Sequence, residues 1–196
     1  MSNGEGMTKC GGRKHSFRNS SFRAAGAFSI IELIVVIAII LVLAGLVLAT
    51  SSYVHNKGAR SRAEAEIAAI SAALENYKAD NGIYVNATGA DARGVVDFVK
   101  YQAASLTLYE NLTGDLDHDR STDGGKASYL TFKPNQLSPS DQSQNVTFIK
   151  DPFGNSYGYS TVNSTDSTKG YNPTFDLWST GGVTAGTDQS QWIKNW

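Results

Sequence analysis

The sequence predicts an α+β fold in which a long N-terminal helix packs against a small antiparallel β-sheet. Residues 28–49 form an apolar run with one charged side chain, and residues 50–82 continue it with apolar positions at helical spacing. Short aromatic and β-branched segments, separated by turn-forming residues, occupy the last third of the chain. We therefore expect a helix with an apolar half and an amphipathic half, followed by a globular α+β head at residues 83–196.

Basic residues dominate the segment before the apolar run. Residues 1–27 carry five Lys or Arg side chains and one Glu, whereas the rest of the chain has twelve basic and seventeen acidic side chains. Because Lys and Arg resist translocation, this arrangement predicts a basic leader in the cytoplasm and an exported remainder. Cys10, the only cysteine, lies in the leader, so no disulfide can form within the exported part.

The apolar run is long enough to cross a membrane. A helix over residues 28–49 would be about 33 Å long, against a hydrocarbon core of about 30 Å. Its one charge, Glu32, would cost about 2.5–3.5 kcal/mol on insertion, so such a residue usually has a partner or a function. Cleavage before Phe28 would create an α-amino group four residues away, and this cation can pair with Glu32 of a neighbouring subunit. A plain signal anchor is the alternative, and it leaves Glu32 unexplained.

A short motif opens the apolar run. It reads Gly26-Ala27-Phe28-Ser29-Ile30-Ile31-Glu32-Leu33. This motif resembles the N-terminal signal of type IV pilins and of the pseudopilins of type II secretion. The resemblance implies cleavage by a prepilin peptidase between Ala27 and Phe28, N-methylation of the new Phe28 amine, and register-setting roles for Phe28 and Glu32. Because Ala27 stands where the family nearly always has Gly, cleavage after Gly26 is the alternative.

The second half of the helix has an apolar stripe. Its members recur at spacings of three and four and are Ile67, Ile70, Leu74 and Tyr77. The stripe predicts that residues 50–82 form an amphipathic stem whose apolar face packs on the head. Gly82 suits a left-handed C-cap and ends the helix.

The head is predicted to combine one helix with an antiparallel sheet that lies on the stem. Residues 95–112 indicate a helix followed by a loop, with four expected buried positions: Ala103, Leu106, Leu108 and Leu112. The predicted strands are residues 129–132, 146–149, 156–162 and 174–178.

Two segments of the head resemble one subgroup of the same family. Residues 151–157 and 175–182 are similar to segments of the G-type, or major, pseudopilin. The resemblance also covers the N-terminal signal and the end of the stem. It implies a structural subunit of a periplasmic pseudopilus that is anchored once in the bacterial inner membrane and assists protein export. The partners it implies are further copies of the chain, the prepilin peptidase, other pseudopilins, the inner-membrane assembly platform and membrane lipid.

The resemblance also implies a calcium site near the C-terminus. In the G-type family a C-terminal loop binds calcium through backbone carbonyls and Asp side chains. Thr180 and Asp188 are the candidate ligands here, although Gly182 and Val183 stand where a further Asp is expected.

A separate acidic segment is a second candidate for a cation. Its carboxylates alternate along the chain and are Asp115, Asp117, Asp119 and Asp123. Carboxylates in this pattern can converge on a hard cation such as calcium. The spacing is similar to the start of an EF-hand loop, but Arg120 and Lys126 replace its Gly and closing Glu. A solvated acidic loop without an ion is therefore the alternative.

Catalytic motifs are sparse. The three histidines are far apart in the sequence, and neither a phosphate-binding Gly motif nor a basic nucleic-acid patch is present. We therefore expect neither enzymatic activity nor a nucleic-acid partner. Three alternatives stay open. A minor, tip-located pseudopilin would often lack the Glu, so the presence of Glu32 favours a subunit of the filament body. A type IV pilus subunit for adhesion, motility or DNA uptake would more often carry a C-terminal cysteine pair, and a signal-anchored periplasmic enzyme or binding domain would not need Glu32.

Overall fold

The computed structural model describes residues 28–196, with side chains described for all of these except residues 48–52. The predicted leader, residues 1–27, and the cleavage residues Gly26 and Ala27 lie outside the described residues. The elements in chain order are α1 (Ile30–Asn81), α2 (Phe98–Thr113), β1 (Leu137–Ser138), β2 (Phe148–Ile149), β3 (Gly158–Ser160), β4 (Asp176–Ser179) and β5 (Ile193–Lys194). The predicted α+β class is therefore confirmed.

The chain divides into two compact units, Met1–Val47 and Leu48–Trp196. In the first unit, α1 contains an 18-residue stretch, Ile30–Val47, with a mean hydropathy of 3.3 and no buried residue. This stretch is long and apolar enough to cross a membrane. A signal sequence near an N-terminus can share that length and composition.

In the second unit, α1 contributes one face to the hydrophobic core. Its buried apolar residues recur at helical spacing and are Ala63, Ile67, Ile70, Ala73 and Leu74. The predicted stripe is confirmed for its first three members, and its fourth, Tyr77, is half-buried with its ring edge-on to that of Tyr129. After Asn81, Gly82 adopts a φ of 78°, as its predicted C-cap role requires.

Both ends of α2 are capped. The side chain of Asp97 accepts a hydrogen bond from Lys100 N, and Gly114 follows the helix with a φ of 72°. The predicted start at Val95 is therefore wrong, because the Asp97 cap fixes the first helical residue as Phe98.

The buried face of α2 differs in part from the prediction. Its buried residues are Tyr101, Ala104, Ser105, Leu108, Tyr109, Leu112 and Thr113. Leu108 and Leu112 are thus confirmed, whereas Ala103 is exposed and Leu106 is half-buried. The helical period explains the difference, since Ala104, Leu108 and Leu112 fall four residues apart and Ala103 lies one position off that face.

The strands form two antiparallel sheets rather than the single sheet predicted. β1 pairs with β2, with Leu137 opposite Ile149. The second sheet has the order β3-β4-β5, with Gly158 opposite Trp178. β4 is therefore the central strand, and all four of its residues are buried.

Residues 129–132 form no strand, so that prediction is wrong. The N–H groups of Tyr129 and Leu130 donate to Leu112 O, at 2.7 and 3.1 Å. The segment therefore covers the end of α2 instead of pairing with another strand. The sequence does not indicate β1 or β5, because two residues are too few to show an alternating pattern.

The core of the second unit centres on Trp178 of β4. Its ring is fully buried, edge-on to Tyr101 of α2 and stacked on Trp192. A Cβ atom on Gly158 of β3 would overlap this indole ring, so only glycine fits there. α2 packs against β2 and β3, and the buried face of α1 joins the same core. The prediction of a sheet on the stem therefore omitted α2, the helix that principally contacts the strands.

Candidate functional site

The N-terminal end of α1 carries the predicted assembly residues Phe28 and Glu32. Ser29 Oγ accepts a hydrogen bond from Glu32 N at 3.2 Å. Ser29 O accepts from Glu32 N and Leu33 N, at 3.1 and 3.2 Å. Ser29 is therefore the N-cap of α1, and Glu32 is the third helical residue. The Ser-x-x-Glu spacing signals such a cap, but the sequence-based prediction missed it.

Glu32 lies where a helix favours a negative charge. A carboxylate in the first turn of an exposed helix is typically stabilised by about 0.3–1 kcal/mol. The cost of about 2.5–3.5 kcal/mol applies to a charge at the centre of a membrane helix, whereas Glu32 lies in the first turn of α1. Among the described residues, the Glu32 carboxylate has no hydrogen-bond or ion-pair partner.

Every residue from Phe28 to Val47 is exposed. Phe28 is 82% exposed, and large apolar side chains project on all sides of the helix. A helix that is apolar all round and not buried within its own chain needs lipid or neighbouring helices as its surroundings. This end of α1 therefore offers an apolar surface with one carboxylate set into it.

The loop after α2 brings three of the four predicted acidic ligands together. Asp115, Asp117 and Asp123 each place one carboxylate oxygen so that all three atoms lie within 4.8 Å of one another. Asp119 does not belong to this group, and its Oδ1 accepts a hydrogen bond from Ser121 N at 2.8 Å. We call Asp115, Asp117 and Asp123 the acidic triad.

Asp115 is the buried member of the acidic triad, at 1% exposure. Its Oδ2 accepts hydrogen bonds from Tyr109 Oη at 2.6 Å and from Arg120 N at 2.7 Å. Its Oδ1 is buried and has no hydrogen-bond partner among the described residues. Burial and the hydrogen bond to Asp115 raise the pKa of Tyr109, which therefore stays a donor to this carboxylate.

The predicted C-terminal ligands, Thr180 and Asp188, lie in different surroundings. Thr180 is fully buried, with its Oγ1 3.4 Å from Asn155 Nδ2. Asp188 is exposed, and its Oδ1 accepts a hydrogen bond from Ser190 N at 2.8 Å. This bond holds the pKa of Asp188 below its ordinary value. Calcium binding at this loop stays a prediction.

Asp151 is a buried carboxylate whose role the sequence-based prediction missed. Its Oδ1 accepts from the backbone N–H groups of Phe153 and Asn155, at 3.0 and 2.8 Å. Its Oδ2 accepts from Ser179 Oγ at 2.5 Å. Burial raises the pKa of Asp151, and the three donors oppose that shift. The hydrogen bond to Ser179 joins the turn at residues 151–155 to the end of β4.

Comparisons of the chain with protein-family models, with characterised proteins and with solved structures find no match. Function is therefore inferred from two features of the described residues: the apolar end of α1 with its carboxylate, and the acidic triad.

Proposed function

We propose that the chain is a structural subunit of a pilin-like filament, of the type that forms a periplasmic pseudopilus. One observation carries the proposal: the described part of the first unit is an exposed apolar helix with a single carboxylate in its first turn. Such a helix can lie in lipid as a monomer and pack among equivalent helices in a filament. It anchors the subunit once in the inner membrane before assembly.

In this proposal, Glu32 sets the axial register between the helices of neighbouring subunits. Removal of the leader before Phe28 creates a cation at the start of the chain, and the Glu32 carboxylate has no partner among the described residues. A desolvated carboxylate is costly unless paired, so pairing with the Phe28 amine of a neighbouring subunit favours one axial stagger between helices. Other staggers leave both charges unpaired in an apolar environment and are disfavoured.

The second unit then supplies the folded head of the subunit. Its two segments with similarity to the G-type pseudopilin, residues 151–157 and 175–182, contact each other through Asp151 and Ser179. This similarity favours a major pseudopilin of type II secretion over a type IV pilus subunit. The subunit acts with the prepilin peptidase, other pseudopilins and the assembly platform, and it has no catalytic role.

The test is co-expression of the full chain with a prepilin peptidase and an assembly platform. Intact mass spectrometry should show the loss of residues 1–27, a gain of one methyl group on Phe28, and filaments by electron microscopy. Glu32→Ala should still be cleaved and membrane-bound, but should reduce filament number at least tenfold because the register pair is lost.

Glu64→Ala is the matched control, since Glu64 is an exposed acidic residue of the same helix within the second unit. It should assemble as the unmodified chain does. An unchanged precursor mass, or normal filaments from Glu32→Ala, would contradict the proposal and favour a plain signal anchor. Loss of residues 1–26 would instead assign cleavage to the bond after Gly26.

A further inference from the structure

We propose that the acidic triad in the loop after α2 binds one calcium ion. The ligands are carboxylate oxygens of Asp115, Asp117 and Asp123. This site is independent of the filament function proposed above, because it lies wholly within the second unit and uses neither Phe28 nor Glu32.

The geometry of the acidic triad matches a shared ion. One oxygen from each carboxylate lies within 4.8 Å of the other two. Calcium binds oxygen ligands at about 2.3–2.6 Å, so oxygens around one ion are separated by at most about 5 Å. Calcium also accepts irregular coordination, whereas magnesium demands a near-ideal octahedron of shorter bonds. A triad carried by an irregular loop therefore suits calcium better.

A second observation is independent of the clustering. Asp115 is 1% exposed, yet its Oδ1 has no hydrogen-bond partner among the described residues. Buried carboxylate oxygens are normally partnered, since an unsatisfied one has lost its water without replacement. Its Oδ2 is already occupied by Tyr109 Oη and Arg120 N. Oδ1 is therefore the oxygen of Asp115 with free lone pairs, and in this proposal it is the oxygen that Asp115 offers to the ion.

The triad is not neutralised by neighbouring side chains. Within residues 28–196, none of its three carboxylates forms an ion pair within 4 Å of a Lys, Arg or His side chain. The nearby Arg120 donates its Nε and Nη2 to backbone carbonyls of residues 139, 141 and 144. His118 is held by Glu110, with Nε2 2.8 Å from Oε1. Neither cation therefore forms an ion pair with the triad, and Arg120 Nη1 is buried without a hydrogen-bond partner among the described residues.

The cation would fasten a connection between α2 and the segment before β2. Leu116 N donates to Asp123 Oδ2 at 2.8 Å, which closes the loop on itself. Asn145 Nδ2 donates to Asp117 O at 2.9 Å, and Val146 N donates to His118 O at 3.0 Å. An ion at the triad thus links the end of α2 to residues 145–146, and its removal should loosen both.

The experiment is calcium titration of the full chain in detergent, after treatment with EDTA and removal of the chelator. Isothermal titration calorimetry should show binding with a Kd of about 10⁻⁷ to 10⁻³ M, the range of calcium sensors and extracellular modules. Asp117→Asn and Asp123→Asn should each weaken this binding at least tenfold. Asp115 is left unchanged, because its substitution would also break its bonds to Tyr109 and Arg120.

Two matched controls separate the triad from other acidic groups. Asp119→Asn removes a neighbouring carboxylate outside the triad, and Asp188→Asn removes the acidic side chain of the C-terminal loop. Both variants should bind calcium with a Kd within threefold of that of the unmodified chain. The proposal is overturned if the full chain binds no calcium up to about 10 mM, if Asp119→Asn weakens binding as much as Asp117→Asn, or if only Asp188→Asn abolishes it. Circular dichroism of each variant confirms that it is folded.

Discussion

Two buried carboxylates hold loops of the second unit in place. Asp151 accepts three hydrogen bonds, one of them from Ser179 across to β4. Asp176 accepts from the backbone N–H groups of Tyr171 and Asn172, both at 2.8 Å. Burial desolvates the charged form of each carboxyl and so raises its pKa, and the hydrogen-bond donors oppose that shift. Residues 28–196 contain no cysteine, and contacts of this kind act in place of disulfides.

These shifts predict a pH dependence that can be assigned to Asp151. Because its folded pKa is raised, its contribution to stability is complete below its ordinary pKa of 3.8 and is lost as pH rises through the folded value. Asp151→Asn removes this titration. The free energy of unfolding of the unmodified chain, relative to that of the variant, should therefore fall as pH rises from 4 to 7. Urea denaturation at each pH measures the difference.

Asp188→Asn is the control for that experiment, since the pKa of Asp188 is lowered by its bond from Ser190 N. Its contribution has the opposite sign: it is present above the ordinary pKa and is lost as pH falls. The stability of the unmodified chain relative to Asp188→Asn should therefore not fall between pH 4 and 7, and should drop only as pH falls below that range. The same slope for both variants would contradict the assignment to Asp151.

At the scale of elements, the contact between β3 and β4 requires glycine at position 158. Gly158→Ala would place a Cβ atom into the ring of the fully buried Trp178, which is itself packed against Tyr101 and Trp192. Overpacking of this kind typically costs about 1–3 kcal/mol, and an indole clamped on both sides has little room to move. We expect a loss of about 3 kcal/mol in the free energy of unfolding, measured by urea denaturation with tryptophan fluorescence.

Gly89→Ala is its matched control, because no atom lies within 4 Å of the added Cβ and the backbone there is not left-handed. It should change the free energy of unfolding by less than about 0.5 kcal/mol. An equal loss in both variants would show that the effect comes from glycine itself and not from the contact between Gly158 and Trp178.

The same elements show what the sequence could predict. α1 is long, and its stripe of Ile67, Ile70 and Leu74 repeats a helical period several times, so both its existence and its end at Gly82 were predictable. Strands of two to four residues carry no such repetition. Residues 129–132 have strand-like composition, but their N–H groups find Leu112 O, a partner that depends on tertiary structure.

The candidate sites, too, could be predicted only in part from the sequence. Alternation of carboxylates indicated the acidic triad, but only the folded loop separates Asp119 from the other three. The unpartnered Oδ1 of Asp115 follows from burial and is invisible in the sequence. The cap at Ser29 had a readable signal in its spacing to Glu32, although the donor is Glu32 N and the carboxylate has no hydrogen-bond partner among the described residues.

At the scale of the whole molecule, the two units have opposite solvent requirements. The described residues of the first unit are all exposed and almost all apolar. The second unit buries its own core, in which α1, α2 and the strands all take part. A unit that buries its apolar surface can fold in water alone, whereas an exposed apolar helix drives association with lipid or with other helices.

This contrast predicts that a chain lacking residues 1–47 folds without detergent. It should be soluble and monomeric by size-exclusion chromatography, with a near-ultraviolet circular dichroism signal from Trp178 and Trp192, because both rings are buried and stacked. Cytoplasmic expression suffices, since the truncated chain has no cysteine to oxidise. The full chain should instead sediment with membranes and need detergent for extraction. Aggregation of the truncated chain, with no near-ultraviolet signal, would show that the second unit depends on the first for its folding.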